Sequence, residues 1–330
     1  MKAINCIIFL LLVALKSQAQ NVMTSSPYSM FGIGELESGL YGQNAAMGGV
    51  SYGMRNNTGL TALESKRLLT ELSIFLKNES YTSGGSSNQA FTGSFSALML
   101  GGRVIPRWYT AVSLTPYSSV GYYFQSSQPV EGNPHENYDA AFTGSGGISK
   151  VTWSNAYLLS QHWSLGMNIS YLFGNIVLSE QQSDLIVDRK MHARALYANF
   201  GIQYHRALNH DLSYTLGAVY GYRQKLDITN AKYIVNGNAH EKKKQRSQKQ
   251  SLPQYFGIGG SLQCKKWTYA LDYAFQQYSS LTSVDSRIEF RDVSECRIGA
   301  CYFPNGYSSD GFWKQVAYKA GINVSSSYMT

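Results

Sequence analysis

The sequence predicts an all-β chain folded as a transmembrane antiparallel barrel, and three observations carry that expectation. Charge is sparse: Asp, Glu, Lys and Arg make up 15% of the residues, against ~25% in typical soluble proteins. Tyr occurs 25 times and Gly 31 times. Beyond the first twenty residues no apolar run approaches the ~18 that a membrane-spanning helix needs. From about Leu69 onward the apolar residues instead recur with a period of two, the signature of strands that hide their apolar surface in alternate positions.

Residues 1–19 read as a secretory signal. Lys2 supplies a basic start, Ile7 to Leu15 is a short apolar run, and Ser17-Gln18-Ala19 offers small residues at a cleavage site. Residues 20–67 differ from the rest. Gly32, Gly34, Gly39, Gly42, Gly48, Gly49 and Gly53 make this stretch too glycine-rich for a stable helix, and its periodicity is weak. Residues 68–330 are then the barrel wall.

The alternation is clearest at Leu196, Ala198, Phe200, Ile202 and Tyr204, set against Tyr197, Asn199, Gly201, Gln203 and His205. Leu165 to Phe173, Leu212 to Tyr220 and Trp267 to Phe275 repeat it, with rings and Leu on one face and small or polar residues on the other. In a strand this turns one set toward lipid and the other toward a lumen. About eleven strands follow: 69–81, 89–105, 108–125, 139–160, 163–179, 190–207, 211–229, 252–265, 267–281, 293–303 and 315–325. Tight connections at Ile105 to Trp108, Gln161 to Trp163, Ala207 to His210 and Lys265 to Trp267 alternate with long polar links at 126–137, 180–188 and 230–251. Short periplasmic turns and longer outer loops are the habit of outer-membrane barrels. Trp108, Trp163, Trp267 and Trp313 each follow an expected periplasmic connection, where an interfacial aromatic girdle belongs. The expected location is the outer membrane of a Gram-negative bacterium.

Catalytic spacing is lacking. There is no G-x-S-x-G elbow, H-E-x-x-H pair, P-loop or G-x-G-x-x-G, so no enzyme and no cofactor is expected. The six His residues are dispersed, and Asp184 with Asp188 makes only a weak case for calcium, so no metal is expected. Cys264, Cys296 and Cys301 read as free thiols without a CxxC pair. The net charge of +8 points to lipopolysaccharide phosphate or lipid headgroups. The basic link 236–251 lacks aromatics for base stacking, so nucleic acid is not an expected partner, and the link reads as a solvated outer loop. A monomer is expected.

Ser26-Pro27-Tyr28-Ser29-Met30-Phe31-Gly32-Ile33-Gly34 and Asn44-Ala45-Ala46-Met47-Gly48-Gly49-Val50 resemble the N-terminal plug of the FadL/TodX-like long-chain fatty acid and hydrocarbon transporters. Leu114 to Tyr122, Gly146 to Ser149 and Ser170 to Gly174 also resemble segments of that family. The resemblance implies a fourteen-stranded barrel with an N-terminal lumenal hatch over 20–67. It implies passive uptake of hydrophobic small molecules such as long-chain fatty acids. The alternative function is a non-transporting structural or secretion-associated barrel on the same scaffold, and the lumen discriminates: a greasy pocket between hatch and wall favours transport, a purely polar lumen the alternative. This chain lacks the family's Asn-Pro-Ala-type element near Asn57 to Ser65, and it ends at Thr330 without a terminal aromatic. Fourteen strands at this spacing need roughly seventy more residues, which leaves a C-terminally truncated wall open.

Pro116 lies within an expected strand, where it withholds an N–H from the ladder. A closed barrel has no edge to accommodate it, so a bulge or gap is expected at Thr115 to Ser118 with hatch residues behind it. By the resemblance, the family's corresponding strand is kinked where ligand leaves sideways. The expected ligand path therefore takes in Phe31, Gly32 and Met47 of the hatch with Thr115, Pro116 and Tyr117 of the wall.

Overall fold

A computed structural model describes residues 27–30, 32–37, 42–54, 68–83, 86–130, 133–182, 185–236, 239–244, 247–279, 290–304, 313 and 316–326. The signal segment 1–19, Phe31, and Asn57 to Ser65 lie outside these residues.

Two short 3₁₀ turns, Pro27–Met30 and Gly42–Met47, and a two-residue strand β1 (Glu35–Leu36) precede the wall. The wall strands are β2 (Leu68–Ser83), β3 (Ser86–Ile105), β4 (Trp108–Val130), β5 (Asn133–Leu158), β6 (Trp163–Gln182), β7 (Leu185–Ala207) and β8 (Leu212–Gly221). After them come β9 (Gln224–Asn236), β10 (Ala239–Lys244), β11 (Gln248–Leu252), β12 (Gln254–Cys264), β13 (Trp267–Gln277), β14 (Val293–Tyr302) and β15 (Tyr318–Ser325). All pairings are antiparallel, in one sheet running β15-β14-β13-β12-β8-β7-β6-β5-β4-β3-β2.

The period-two pattern sets the faces. Along β13, Trp267, Tyr269, Leu271 and Tyr273 are exposed while Ala270, Asp272 and Ala274 are buried. Along β7, Leu196, Phe200 and Ile202 are exposed. Facing rows such as Leu216, Gly260, Leu271, Ile298 and Ile322 lie side by side across five strands. A continuous apolar outer face with a small and polar inner face is the wall of a membrane barrel, not a soluble sandwich. From Leu196 to Tyr204 the belt on β7 runs ~27 Å along the strand, enough to cross the hydrocarbon layer. Aromatic rings close it at the tight-turn end. Trp163 sits 4.9 Å from Tyr204, and Trp267 sits 4.7 Å from Tyr302 (ring centroids). The tight turns there hold Arg107 and Lys265 at positive φ. Lys265 is the first central residue of its two-residue hairpin, the sense that matches strand twist. Arg107 instead follows Pro106, whose ring fixes a negative φ, so that turn has the type II pattern.

The expected strand map needs three corrections. The stretch 211–229 is not one strand. It breaks after Gly221, and the line resumes as β9, which pairs β7 over Leu185 to Arg194. The side chain of Gln224 bridges the break by standing in for the ladder: its Oε1 accepts from Ala198 N (2.8 Å) and its Nε2 donates to Ala198 O (3.0 Å). The described residues of the links 126–137, 180–188 and 230–251 are largely strand as well, since β4 to β7 run past the apolar belt, β9 continues to Asn236, and β10 and β11 both pair β9. Above the membrane both faces of a strand meet water, so the apolar alternation that marks strands fades although pairing continues. Third, the sheet has fifteen strands and is not closed among the described residues: β2 and β15 each pair on one side only.

Candidate functional site

The described part of the N-terminal segment lies on the inner face of the wall and is held there at two places. The first is the outer half of β4. Facing positions run in step from Trp108↔Tyr157 to Pro116↔Ser149, then jump to Ser118↔Ile148, so Tyr117 is an extra residue in a bulge. The break expected at Thr115 to Ser118 is therefore present, but the premise that no edge excuses Pro116 is corrected. Pairing between β3 and β4 ends at Leu98↔Leu114. Beyond it β3 pairs only β2, so the wall splits, and Pro116 sits on a strand edge, where proline is tolerated.

The segment 29–37 backs this split. β1 pairs β4 through Glu35↔Ser119 and Leu36↔Ser118. Glu37 N donates to Tyr117 O (3.0 Å), Ser118 Oγ donates to Ile33 O (2.8 Å), and Ser119 Oγ donates to Glu37 Oε1 (2.8 Å). Deeper in, Gly121 N donates to Ser29 Oγ (3.2 Å). Gly34, at φ 93°, lies so close to Ser119 O and the Val120 side chain that any Cβ would collide. Met30, Ile33 and Tyr117 join Val120, Tyr122, Ile148, Leu172 and Leu226 in a filled apolar cluster. Thr115 is buried there, and its hydroxyl has no hydrogen-bond partner among the described residues.

The second attachment is a latch on β7 and β12 to β14. Asp272 Oδ2 accepts from Ser51 N (2.5 Å) and Tyr52 N (2.9 Å). Gln203 Nε2 donates to Tyr52 O (2.7 Å) and Met54 O (3.2 Å), and Ser261 Oγ donates to Gly53 O (2.7 Å). Arg297 holds Glu295 through two bonds (2.9 and 2.7 Å), donates to Gly49 O (3.3 Å), and lies 5.8 Å from the centre of the Tyr52 ring. Wall glycines make room: a Cβ on Gly257 would meet the Tyr52 ring at 2.5 Å, and one on Gly217 would strike Tyr52 O. The polar wall side chains bond backbone groups of 49–54, while Tyr52 packs its ring against Arg297 and Gly257, and Val50 and Met54 are buried with Met47 and Ala270.

The expected site residues fall in two places. Gly32, exposed at φ 61°, precedes the Ile33 that bonds β4, so Gly32, Thr115, Pro116 and Tyr117 belong to the split. Met47 lies elsewhere, buried against Gly299 and Gly321 of β14 and β15. Two spaces remain beside the segment. One, about 310 Å³, is lined by Ser113, Thr152, Asn155, Asn168, Ser170 and Asn199 among others. The other, about 640 Å³, lies toward the tight turns and is lined by His205, Asn209, His210, Asp211, Gln263 and Lys319 with Met47 and Met54. Both have mixed linings, with apolar side chains such as Met99, Leu165, Ile202 and Val219 in the first and Met47, Met54, Leu212 and Phe303 in the second among the polar ones. Among the described residues no three His, Cys, Asp or Glu side chains gather as a metal site.

The sequence pattern missed the latch. Asp272 and Gln203 stood in the small-and-polar face of their strands, but their partners lie 149 to 221 residues away. The one local signal was a lone carboxylate among Thr268, Ala270, Ala274 and Gln276.

The arrangement has known counterparts. A crystal structure of the Pseudomonas putida toluene transporter TodX superposes with a TM-score of 0.56 at 15% identity, over 90% of this chain and 85% of that one. A second TodX structure gives 0.54 at 13% identity, over 87% and 83%. The fold is thus that of the FadL/TodX hydrocarbon-transporter barrels. No curated protein matches the sequence. At the level of sequence the BamG family model matches residues 1–330, and the chain belongs to the BamG family.

Proposed function

We propose that this protein is an outer-membrane barrel that serves as a structural, non-transporting member of an outer-membrane assembly, built on a transporter fold. The observation that carries this reading is the number of polar groups that line the lumen. Ligand pockets for hydrophobic molecules are mostly apolar with few polar groups, whereas both spaces beside the N-terminal segment mix apolar side chains with many Ser, Thr, Asn, His and Lys side chains. The apolar cluster between segment and wall is filled with side chains. The latch adds buried charged groups that tie the hatch down, and identity to the toluene transporters is too low to carry their substrate across.

A second reading, passive uptake of hydrophobic molecules such as long-chain fatty acids, is favoured by the split between β3 and β4. In that reading Phe31, Gly32, Thr115, Pro116 and Tyr117 line the way out and Met47 the way past the latch.

One variant separates the two. Leu36 and Ser118 face each other across β1 and β4, so Leu36→Cys with Ser118→Cys, in a chain whose Cys264, Cys296 and Cys301 are Ser, staples the hatch over the split when oxidised. A structural barrel is expected to show no uptake of labelled oleate above background, stapled or reduced, and to migrate from native outer membranes in a complex larger than the monomer. Uptake that is present when reduced and lost on oxidation establishes transport instead.

A further inference from the structure

The outward face of the wall changes character sharply at one height. On β7 the apolar series Tyr204, Ile202, Phe200, Ala198 and Leu196 gives way to Arg194, His192 and Lys190. On β6 the same face passes from Tyr171 and Phe173 to Asn175, and beyond Tyr220 of β8 the next outward position of the line, on β9, is Lys225. This is the end of the lipid-facing belt away from the tight turns, and therefore the outer leaflet.

Above that line β7, β9, β10 and β11 form a continuous sheet whose outward face gathers cations. Facing positions place Arg194, Asp227 and Lys249 in one row, and Asp188, Tyr233 and Lys242 in another. Lys190, Arg194, Lys225, Lys242 and Lys249 are all exposed. Lys190 Nζ and Lys242 Nζ lie 4.9 and 5.3 Å from the centre of the same Tyr233 ring, so two ammonium groups converge on one spot. The face also carries Asp188 and Asp227, but Asp188 accepts from Ser179 Oγ at 2.7 Å. Among the described residues none of the five cations has a carboxylate within ion-pair distance. Like charges gathered in this way repel unless an anion joins them.

We propose that this face is a docking surface for the phosphates of a phosphorylated glycolipid in the outer leaflet, with Lys190, Arg194, Lys225, Lys242 and Lys249 as the binding groups. The height fixes the class. Arg194, Lys225 and Lys249 sit directly above the apolar belt, where headgroup phosphates lie. Lys190 and Lys242 sit higher, because four residues of strand rise ~13 Å. A ligand with phosphates at more than one height spans both tiers, and a simple phospholipid reaches only the lower. Basic side chains at a membrane surface attract anionic headgroups in just this setting, and the Tyr233 ring holds the two lysines together.

The inference rests on the outer-membrane reading, so barrel formation is scored first, as heat-dependent mobility of the detergent-refolded protein on a gel. A chain without that shift overturns the barrel and this site with it. The folded protein is then titrated with bisphosphorylated lipid A and with the same lipid lacking phosphates, and the bound lipid is counted by native mass spectrometry. The phosphorylated form is expected to bind at least tenfold more tightly. Lys190→Glu with Lys242→Glu is expected to remove most of that preference, and Lys265→Glu, at the opposite rim, to leave it intact. Equal binding of the two lipids, equal binding of phosphatidylglycerol, or no effect of the double charge reversal in a protein that keeps its heat-dependent mobility overturns the proposal.

Discussion

At Asp272 a single carboxylate oxygen holds two backbone N–H groups of a segment more than two hundred residues away. Asp272→Ala removes the acceptor that Ser51 N and Tyr52 N share, at about 1–3 kcal/mol for each bond lost. The wall ladder itself is untouched. The expected outcome is a folded barrel with a loosened segment, read as faster trypsin cleavage at Arg55 with unchanged heat-dependent mobility. Asp272→Asn keeps a carbonyl acceptor and is expected to fall between. Arg297 obeys a different rule because its partner Glu295 is buried beside it. Arg297→Met alone leaves an unpaired buried carboxylate and costs about 3–5 kcal/mol, whereas Arg297→Met with Glu295→Leu removes both charges and costs less than either single change. Denaturant midpoints of the three variants check this, and a double variant weaker than both singles would remove the pair from the latch.

Single strands were readable where one face meets lipid and the other does not. Leu196 to Tyr204, Leu165 to Phe173 and Trp267 to Phe275 fall on β7, β6 and β13 in the expected sense, with the apolar set exposed. The pattern fell silent where both faces meet water, so Glu180 to Asp188 and Asn230 to Ser251 read as loops although their described residues extend the sheet as strands. The break at Pro116 was legible because proline's missing N–H is a local fact. The edge that accommodates it was not, since it depends on where β3 stops pairing β4. Pro116→Val is therefore expected to be mild. It restores an N–H at a site already free of the β3 ladder, while the extra residue Tyr117 maintains the bulge. Deleting Tyr117 is the stronger change, because it brings Ser118 into register with Ile148 without an extra residue and withdraws the Tyr117 carbonyl from Glu37 N. Hydrogen exchange over 29–37 is expected to rise in the deletion and to stay unchanged in Pro116→Val. Equal protection in both would mean that β1 does not depend on the bulge.

The two ends of the sheet meet the same short turn. Gly42 lies against the Glu71 side chain of β2, while Met47 and Gly48 lie against Gly299 of β14 and Gly321 and Ile322 of β15. The sheet therefore bends round until β2 and β15, each paired on one side only, approach a common piece of chain. An unpaired edge is a liability in any β protein, and a turn laid across it is one way to cover it. Contact at this seam is backbone to backbone, and glycine makes it possible: Gly48 is at φ 69°, and a Cβ there would stand 2.7 Å from Ile322 O. Gly48→Leu adds two costs that reinforce each other. A left-handed conformation penalises any side chain by about 1–2 kcal/mol, and overpacking against rigid backbone adds about 1–3 kcal/mol. Neither cost reaches β5 or β6 on the far side of the wall. The expected result is a lower temperature for loss of the heat-dependent gel shift, with hydrogen exchange accelerated in β14 and β15 but not in β5 and β6. Acceleration spread evenly over the wall would mean that the barrel unfolds as one unit. No change at all would mean that the Gly42–Met47 turn does not bind the seam.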